Sequence, residues 1–300
     1  MQSGAVMRVN SSNFALEKEF YMTEPKLIQI DIDAVLRSRL PRHYRYIPRF
    51  VIRGLEKMVC QDQLNEMLRV NRGRRDADFC RGVLQHLDIT YTVEGAENLP
   101  DDPRCLIVSN HPLGGLDGMM LIDYVQRRYP GEKVKFLVND LLMAIEPLGG
   151  VFLPVNKHGR QSRDASALVN ESFEGSGPII IFPAGLVSRK GRKSVIADLE
   201  WQKSFVNKAI EYRRPVIPLF FSGQNSKFFY NFAKLRTRLG LKFNIEMIRL
   251  PREVFRSKGQ SYSLKIGAPI AWSELKGGSK ARLQAEEIRA KVYELGDINI

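Results

Sequence analysis

Cys105-Leu106-Ile107-Val108-Ser109-Asn110-His111-Pro112-Leu113-Gly114-Gly115-Leu116-Asp117-Gly118 holds the fold of this chain in miniature. Four apolar residues, entered from Asp101-Asp102-Pro103 and left through Asn-His-Pro and paired glycines, read as a short buried strand ending in a tight loop. The next residues, Met119-Met120-Leu121-Ile122-Asp123-Tyr124-Val125, read as a helix. A strand that runs through a glycine-rich loop into a helix is the repeating unit of α/β proteins, and their chemistry gathers at the strand's carboxyl end. His111 stands there, with Asp117 a few residues on. An imidazole can take a proton from a hydroxyl, and a carboxylate can hold its ring in one tautomer. Taken alone, the same residues also describe a His-Pro turn with Asp117 as a helix N-cap.

Outward from this unit the rhythm repeats. Residues 89–93, 105–109, 134–138, 151–155, 179–182, 216–221 and 262–266 have strand character, and 117–129, 161–174, 198–213, 225–239 and 279–294 have helical spacing. The alternation predicts an α/β fold: a mixed, mainly parallel sheet flanked by helices. Upstream the pattern is helical. One helix is expected from Pro48, a favourable first-turn residue, through Phe50, Val51, Ile52, Leu55, Met58 and Val59 to Leu68. Arg49, Arg53 and Lys57 form a basic stripe on its other side. A second helix is expected from Asp76 to Leu87. These patterns divide the chain into a helical N-terminal region, 1–88, and an α/β domain, 89–300.

The 300 residues carry 46 Lys and Arg against 33 Asp and Glu, a net charge of +13. Such a surplus calls for an anionic partner: nucleic acid, a membrane surface, or an acidic carrier or substrate. Nucleic acid has little beyond charge in its favour, since no recognition motif, zinc module or paired aromatics of an RNA-binding sheet occur. Cys60, Cys80 and Cys105 are odd in number and form no CxxC pair, which suggests free thiols in a reducing compartment. With the four histidines they show no metal-ligand spacing, so no metal is expected. No apolar run approaches the roughly 18 residues that cross a bilayer, and the first thirty residues lack a signal-peptide pattern.

Three further segments share the strand-into-loop form. Gly149-Gly150-Val151-Phe152-Leu153-Pro154-Val155-Asn156-Lys157 is a strand that ends at a cation. Ile179-Ile180-Ile181-Phe182-Pro183-Ala184-Gly185-Leu186-Val187-Ser188-Arg189 is a buried strand and a Pro/Gly turn, followed by Lys190, Arg192 and Lys193. Pro215-Val216-Ile217-Pro218-Leu219-Phe220-Phe221-Ser222-Gly223 is a strand with prolines. A proton acceptor and two sets of cations on one rim suit an anionic acceptor held with its hydroxyl toward the base.

In this order and spacing, over residues 89–270, the blocks resemble the glycerolipid acyltransferase superfamily typified by 1-acylglycerol-3-phosphate acyltransferases. The family pattern runs from Asn-His with an Asp, through a strand leading to a basic residue and Phe-Pro-Glu-Gly-Thr-Arg-Ser, to a strand with proline. The Asn-His-Pro-Leu-Gly-Gly-Leu-Asp-Gly block and Ser222-Gly223-Gln224-Asn225-Ser226-Lys227-Phe228-Phe229 bring the chain nearest to the bacterial branch often labelled haemolysins. Members of that branch look like lyso-aminolipid O-acyltransferases.

The resemblance implies that a fatty acyl group moves from a thioester, on acyl carrier protein or coenzyme A, to the hydroxyl of a lyso-lipid, either a lyso-aminolipid or lysophosphatidate. It makes His111 and Asp117 catalytic, and Asn110, Lys157, Phe182, Pro183, Gly185, Ser188 and Arg189 substrate-binding. It implies no cofactor, the acyl thioester being a co-substrate, and no Gly-x-Ser-x-Gly elbow supplies a serine nucleophile. Two positions depart from the family. Five residues rather than four separate His111 from Asp117, with Gly114-Gly115 able to absorb the extra one. The family's Glu in the third block is Ala184, and its Thr-Arg is displaced to Leu186-Val187-Ser188-Arg189. Ala184 is expected to open space beside the cations and to favour a head group other than a bare phosphate monoester. The lost carboxylate equally fits a catalytically silent lipid-binding relative.

Such an enzyme would be peripheral on the cytoplasmic face of the membrane. Its expected partners are an anionic membrane surface, the lyso-lipid and an acidic acyl carrier protein, and not nucleic acid. Two segments suit the membrane: the Arg49, Arg53 and Lys57 helix, and Lys227 to Leu239, where Phe228, Phe229 and Phe232 interleave with cations. Helices packed on the domain with their charges in water would carry the same pattern.

Overall fold

The computed structural model describes residues 29–155, 163–191, 195–240 and 244–298. Its strands are β1 (Thr90–Glu94), β2 (Leu106–Ser109), β3 (Lys135–Asn139), β4 (Phe152–Val155), β5 (Ile179–Ile181), β6 (Arg189–Lys190), β7 (Ile196–Ala197), β8 (Val216–Phe221) and β9 (Ser261–Ile266). Seven of them form one sheet in the order β1-β9-β8-β2-β5-β3-β4, and β6 pairs with β7 as a separate antiparallel hairpin. The run β8-β2-β5-β3-β4 is parallel throughout; β9 is antiparallel to β8 and parallel to β1. The sheet is therefore mixed and mainly parallel, with β2 in its middle. Each expected sheet strand forms, its ends within one residue of the sequence reading.

The helices are α1 (Ile32–Arg39), α2 (Arg49–Met58), α3 (Gln61–Val70), α4 (Asp76–His86), α5 (Leu116–Arg128), α6 (Arg163–Glu174), α7 (Ser204–Glu211), α8 (Lys227–Arg238), α9 (Leu250–Arg256) and α10 (Ala281–Leu295). Alternate strand residues face opposite layers. Ile107, Ile180, Ile217 and Leu219 join the core under α4 and α5. Leu106, Val108, Ile179 and Val216 join the one under α6, α7 and α10. Strands buried on both faces read as unbroken apolar runs rather than alternating ones, which is why they are visible in sequence. Arg214 is buried among the segments that lead into them. It donates to the carbonyls of Ser172 and Phe173 in the last turn of α6, of Gly175 and Gly177 just beyond it, and of Cys105 before β2, and burial lowers its pKa to about 10.

The N-terminal helices differ from expectation. The single helix from Pro48 to Leu68 is two, because Cys60 takes a left-handed conformation (φ 56°) between α2 and α3. The second of them is turned to meet the first residue of α1 and the chain just before it. There Asn65 exchanges hydrogen bonds with the Ile30 backbone, and Gln61 accepts from Ile32 N. Only Ile52 of α2 is buried; Phe50 is 74% exposed. By contrast α4, also upstream of residue 88, lies on α5. Phe79, Cys80, Val83 and Leu84 share the core of Ile107 and Met120, and Arg81 and Tyr91 both donate to buried Asp123 of α5.

Candidate active site

Because β2, β3, β5 and β8 run parallel, their carboxyl ends bring Asn110, Asn139, Phe182 and Ser222 to one rim of the sheet. His111 follows β2 there. Asp117 lies in the first turn of α5 and is fully buried. Its Oδ2 sits 2.9 Å from His111 Nδ1 and also accepts from the backbone of Leu113 and Gly114, while Oδ1 accepts from Gly118 N. Burial alone pushes this carboxyl upward, but the His111 charge and hydrogen bond and the backbone N–H groups outweigh it and leave the pKa below the ordinary value. An ionised Asp117 keeps the proton on Nδ1, so Nε2 carries the lone pair.

Between His111 and Asp117 the chain turns at Gly114, whose φ is +84°. A Cβ there would also lie 2.8–2.9 Å from Leu250 and Val187 side-chain carbons, so only glycine fits both the turn and its cover. Phe182, expected at the site, stacks on the His111 ring at 4.1 Å and is itself met edge-on by Phe136. Below the imidazole opens a cleft of about 100 Å³, its walls supplied by Gly118, Met119, Phe136, Leu148, Phe182 and Gly185. A base at the head of an apolar slot can act on a polar centre attached to a hydrocarbon chain.

Other expected contacts turn inward. Asn110 is buried and its amide completes β8, donating to Phe221 O (2.9 Å) and accepting from Phe221 N (2.7 Å). Ser188 is buried and donates to Asp198 at 2.6 Å. Pro183 and Ala184 are buried, and Ala184 belongs to the apolar layer under α6, α7 and α10, so it opens no space beside cations. Arg189 gives its guanidinium to buried Glu246 at 2.8 Å, lies over the Phe229 ring, and shares Glu246 with Arg236; burial lowers its pKa. The Asn110 amide and the Ser188 hydroxyl are satisfied by the protein, and Arg189 is held by Glu246 through one nitrogen while its buried Nη1 has no hydrogen-bond partner. Phe229 is fully buried and touches neither solvent nor lipid, whereas Phe228 is exposed and stacks on Phe232. Gly185 does line the cleft. Lys157, Arg192 and Lys193 lie outside the described residues.

The sequence reading passed over what lies behind His111. Both polar groups of the His111 backbone are held: its N–H donates to Asp198 Oδ1 (3.2 Å) and its carbonyl accepts from Ser188 N (2.8 Å). Ser188 Oγ and Trp201 Nε1 also donate to the Asp198 carboxylate, and the Asp198 backbone bonds Tyr293 and Arg289 of α10. These bonds keep 198–203 out of helix, so α7 starts later than expected. Asp198 is the first acidic residue after Glu174, beyond a run of cations, which was the one signal available. Among the described residues no three His, Cys, Asp or Glu side chains gather as a metal site would.

Residues 34–298 match the acyltransferase family, and the chain belongs to it. It is an acyltransferase, as its ordered blocks implied. It is 42% identical over 274 residues to the lyso-glycine lipid O-acyltransferase of Bacteroides thetaiotaomicron, covering 91% of this chain and 100% of that one. The lyso-glycine lipid O-acyltransferase of Phocaeicola vulgatus is also 42% identical over 274 residues, covering 91% and 98%. Among solved structures the chain is similar to the 1-acyl-sn-glycerophosphate (LPA) acyltransferase PlsC from Thermotoga maritima, with 18% identity, a TM-score of 0.45, and coverage of 89% and 99%.

Proposed function

We propose that this chain is a lipid O-acyltransferase whose acceptor is the free hydroxyl of a mono-acylated amino-acid lipid, a glycine lipid or one of its kin. The observation that carries this reading is the His111–Asp117 pair at the head of an apolar cleft. His111 Nε2 takes the acceptor's hydroxyl proton as the oxygen attacks the thioester carbonyl. The carbon–sulfur bond breaks, and the departing thiolate recovers the proton from the imidazolium, whose charge Asp117 has stabilised. The acyl chain lies along Met119, Phe136 and Phe182, and the thioester is carried by acyl carrier protein or coenzyme A. The head group is read from the two relatives, both lyso-glycine lipid O-acyltransferases; Ala184, packed in the core, no longer bears on it. Lys157 is the remaining cation of the second block for an anionic acceptor.

The acceptor is met on an anionic membrane at its cytoplasmic face. No helix among the described residues is long and apolar enough to cross a bilayer. Exposed Arg49, Arg53 and Lys57 beside Phe50, and Phe228 with Phe232 on α8, are the surfaces that support this peripheral placement.

The test is a direct competition between a mono-acylated glycine lipid and lysophosphatidate for one acyl donor. Transfer should favour the glycine lipid. A clear preference for lysophosphatidate would overturn the head group, and transfer to neither would overturn lipid O-acylation. Lys157→Met should raise KM for the lyso-lipid more than for the donor.

A further inference from the structure

We propose that Asp198 is a second carboxylate in the service of His111: a positioning residue that, with Ser188, fixes the histidine's peptide and places a negative charge behind the imidazole. The proposal rests on His111 acting as the general base. Its footing is geometric. Asp198 Oδ1 accepts from two donors, His111 N at 3.2 Å and Ser188 Oγ at 2.6 Å, and Oδ2 accepts from Trp201 Nε1 at 3.0 Å. Ser188 closes the loop by donating its own N–H to His111 O at 2.8 Å. The side chain of Asp117 sets the ring's tautomer from one direction; Asp198 and Ser188 set the backbone from which that ring projects. A base displaced by a fraction of an ångström loses its alignment with the hydroxyl it must deprotonate, so holding the peptide matters as much as holding the ring.

The clamp is anchored far from the reacting atoms. Asp198 N donates to the Tyr293 hydroxyl and Asp198 O accepts from Arg289, both on α10. Glu286, on the same helix, pairs with Arg289 and accepts from Trp201 N. Helix α10 thus reaches the catalytic loop through Asp198. Ser188, Asp198, Trp201 and Tyr293 are all buried, so no water competes for these bonds.

Electrostatics add to the geometry. Burial raises the Asp198 carboxyl, opposed by the hydrogen bonds of Ser188 and Trp201, by His111 N–H and by the His111 charge. The charged and titratable groups around the pair are Asp117 from α5, and Tyr293, Arg289 and Glu286 from α10. Asp117 thus meets the His111 ring and Asp198 the His111 backbone.

The experiment compares Asp198→Asn, Ser188→Ala and His111→Ala in the full chain, with fold checked by circular dichroism. Asp198→Asn keeps an oxygen acceptor and removes the charge. Its kcat should fall roughly 10- to 100-fold while KM for acceptor and donor stays within about twofold. The acid limb of its kcat/KM profile should move to lower pH by about half a unit or more, because the proton on the imidazole has lost a stabilising charge. Ser188→Ala should lower kcat by a smaller factor and leave the limb in place. Normal kcat in either variant, or an unmoved acid limb in Asp198→Asn, overturns the proposal, as does a change confined to acceptor KM. If Asp198→Asn does not fold, Ser188→Ala decides by its kcat. Near-normal activity in His111→Ala would instead overturn the general-base reading itself, so the two failures are distinguishable.

Discussion

His111 and Asp117 depend on each other in a way that sets what single substitutions do. Removing the imidazole removes the only base among the described residues that line the cleft, so His111→Ala should abolish acyl transfer with the fold intact by circular dichroism. Asp117→Asn is a different lesion. It places an amide where four hydrogen bonds converge on a carboxylate, so a donor would face donors in a buried site. We expect kcat to fall by roughly 10²- to 10⁴-fold and thermal stability to drop with it. The pH dependence of stability has a definite sign. The folded carboxyl titrates below its unfolded value, so its contribution is complete above about pH 4 and is lost as pH falls through the lower folded pKa. Melts between pH 3 and 7 should show a steep acid side in the parent and a flatter one in Asp117→Asn; equal slopes would mean Asp117 is not held ionised by its partners. The pair was legible in sequence because it heads an ordered set of strand-loop blocks; alone it describes a capped His-Pro turn equally well. Asn110, Ser188 and Arg189 were not. A polar residue near a strand end can turn to the rim or to the core, and only the surrounding packing, Phe221 for Asn110 and Glu246 for Arg189, decides which.

Elements were legible to the degree that burial wrote their pattern. β2, β5 and β8 are covered on both faces and appear as plain apolar runs. The break at Cys60 left no mark, because a left-handed residue that is neither glycine nor asparagine carries no turn signature. The α9 helix, which covers Gly114 and Gly115 with Leu250 and Val254, was equally silent, being a single short segment led by Pro251. Its neighbourhood is held by Glu246, which stands between Arg189 of β6 and Arg236 of α8. Removing one partner of a buried ion network strands the others, and Glu246→Gln leaves two guanidinium groups without their counter-charge. Unfolding in urea should show a loss of about 3–5 kcal/mol, with KM for the lyso-lipid unchanged in the folded fraction. Unchanged stability with an altered acceptor KM would return Arg189 to the binding site, where the resemblance first placed it.

At the scale of the molecule, the surplus of positive charge is not evenly spread. Between residues 227 and 258 the sequence holds nine Lys and Arg, and its only acids, Glu246 and Glu253, are buried. The outward charge of this segment is therefore of one sign. The same segment exposes an apolar stripe: Phe228 is 53% exposed, Leu235 52% and Leu239 64%, and with Phe232 they recur at the spacing of one helical face. Phe229, Tyr230 and Ala233 fix the opposite side of α8 to the domain, so the stripe cannot turn inward. Arg249 lies over the Phe228 ring at 4.3 Å, which puts a cation beside the most prominent aromatic. Apolar side chains flanked by cations suit an anionic lipid surface, where each half-exposed residue gains about 1 kcal/mol by leaving water. Serine at Phe228, Leu235 and Leu239 together should therefore weaken binding to phosphatidylglycerol-rich vesicles by roughly tenfold or more, and leave kcat unchanged on a short-chain acceptor dissolved in water. Parent binding should weaken as salt rises, since part of it is charge. If the triple variant binds like the parent while replacement of Arg49, Arg53 and Lys57 releases it, the membrane is met by α2 alone. If neither change releases it, the one-signed face has some other anionic partner, and an acidic carrier protein becomes the occupant to test.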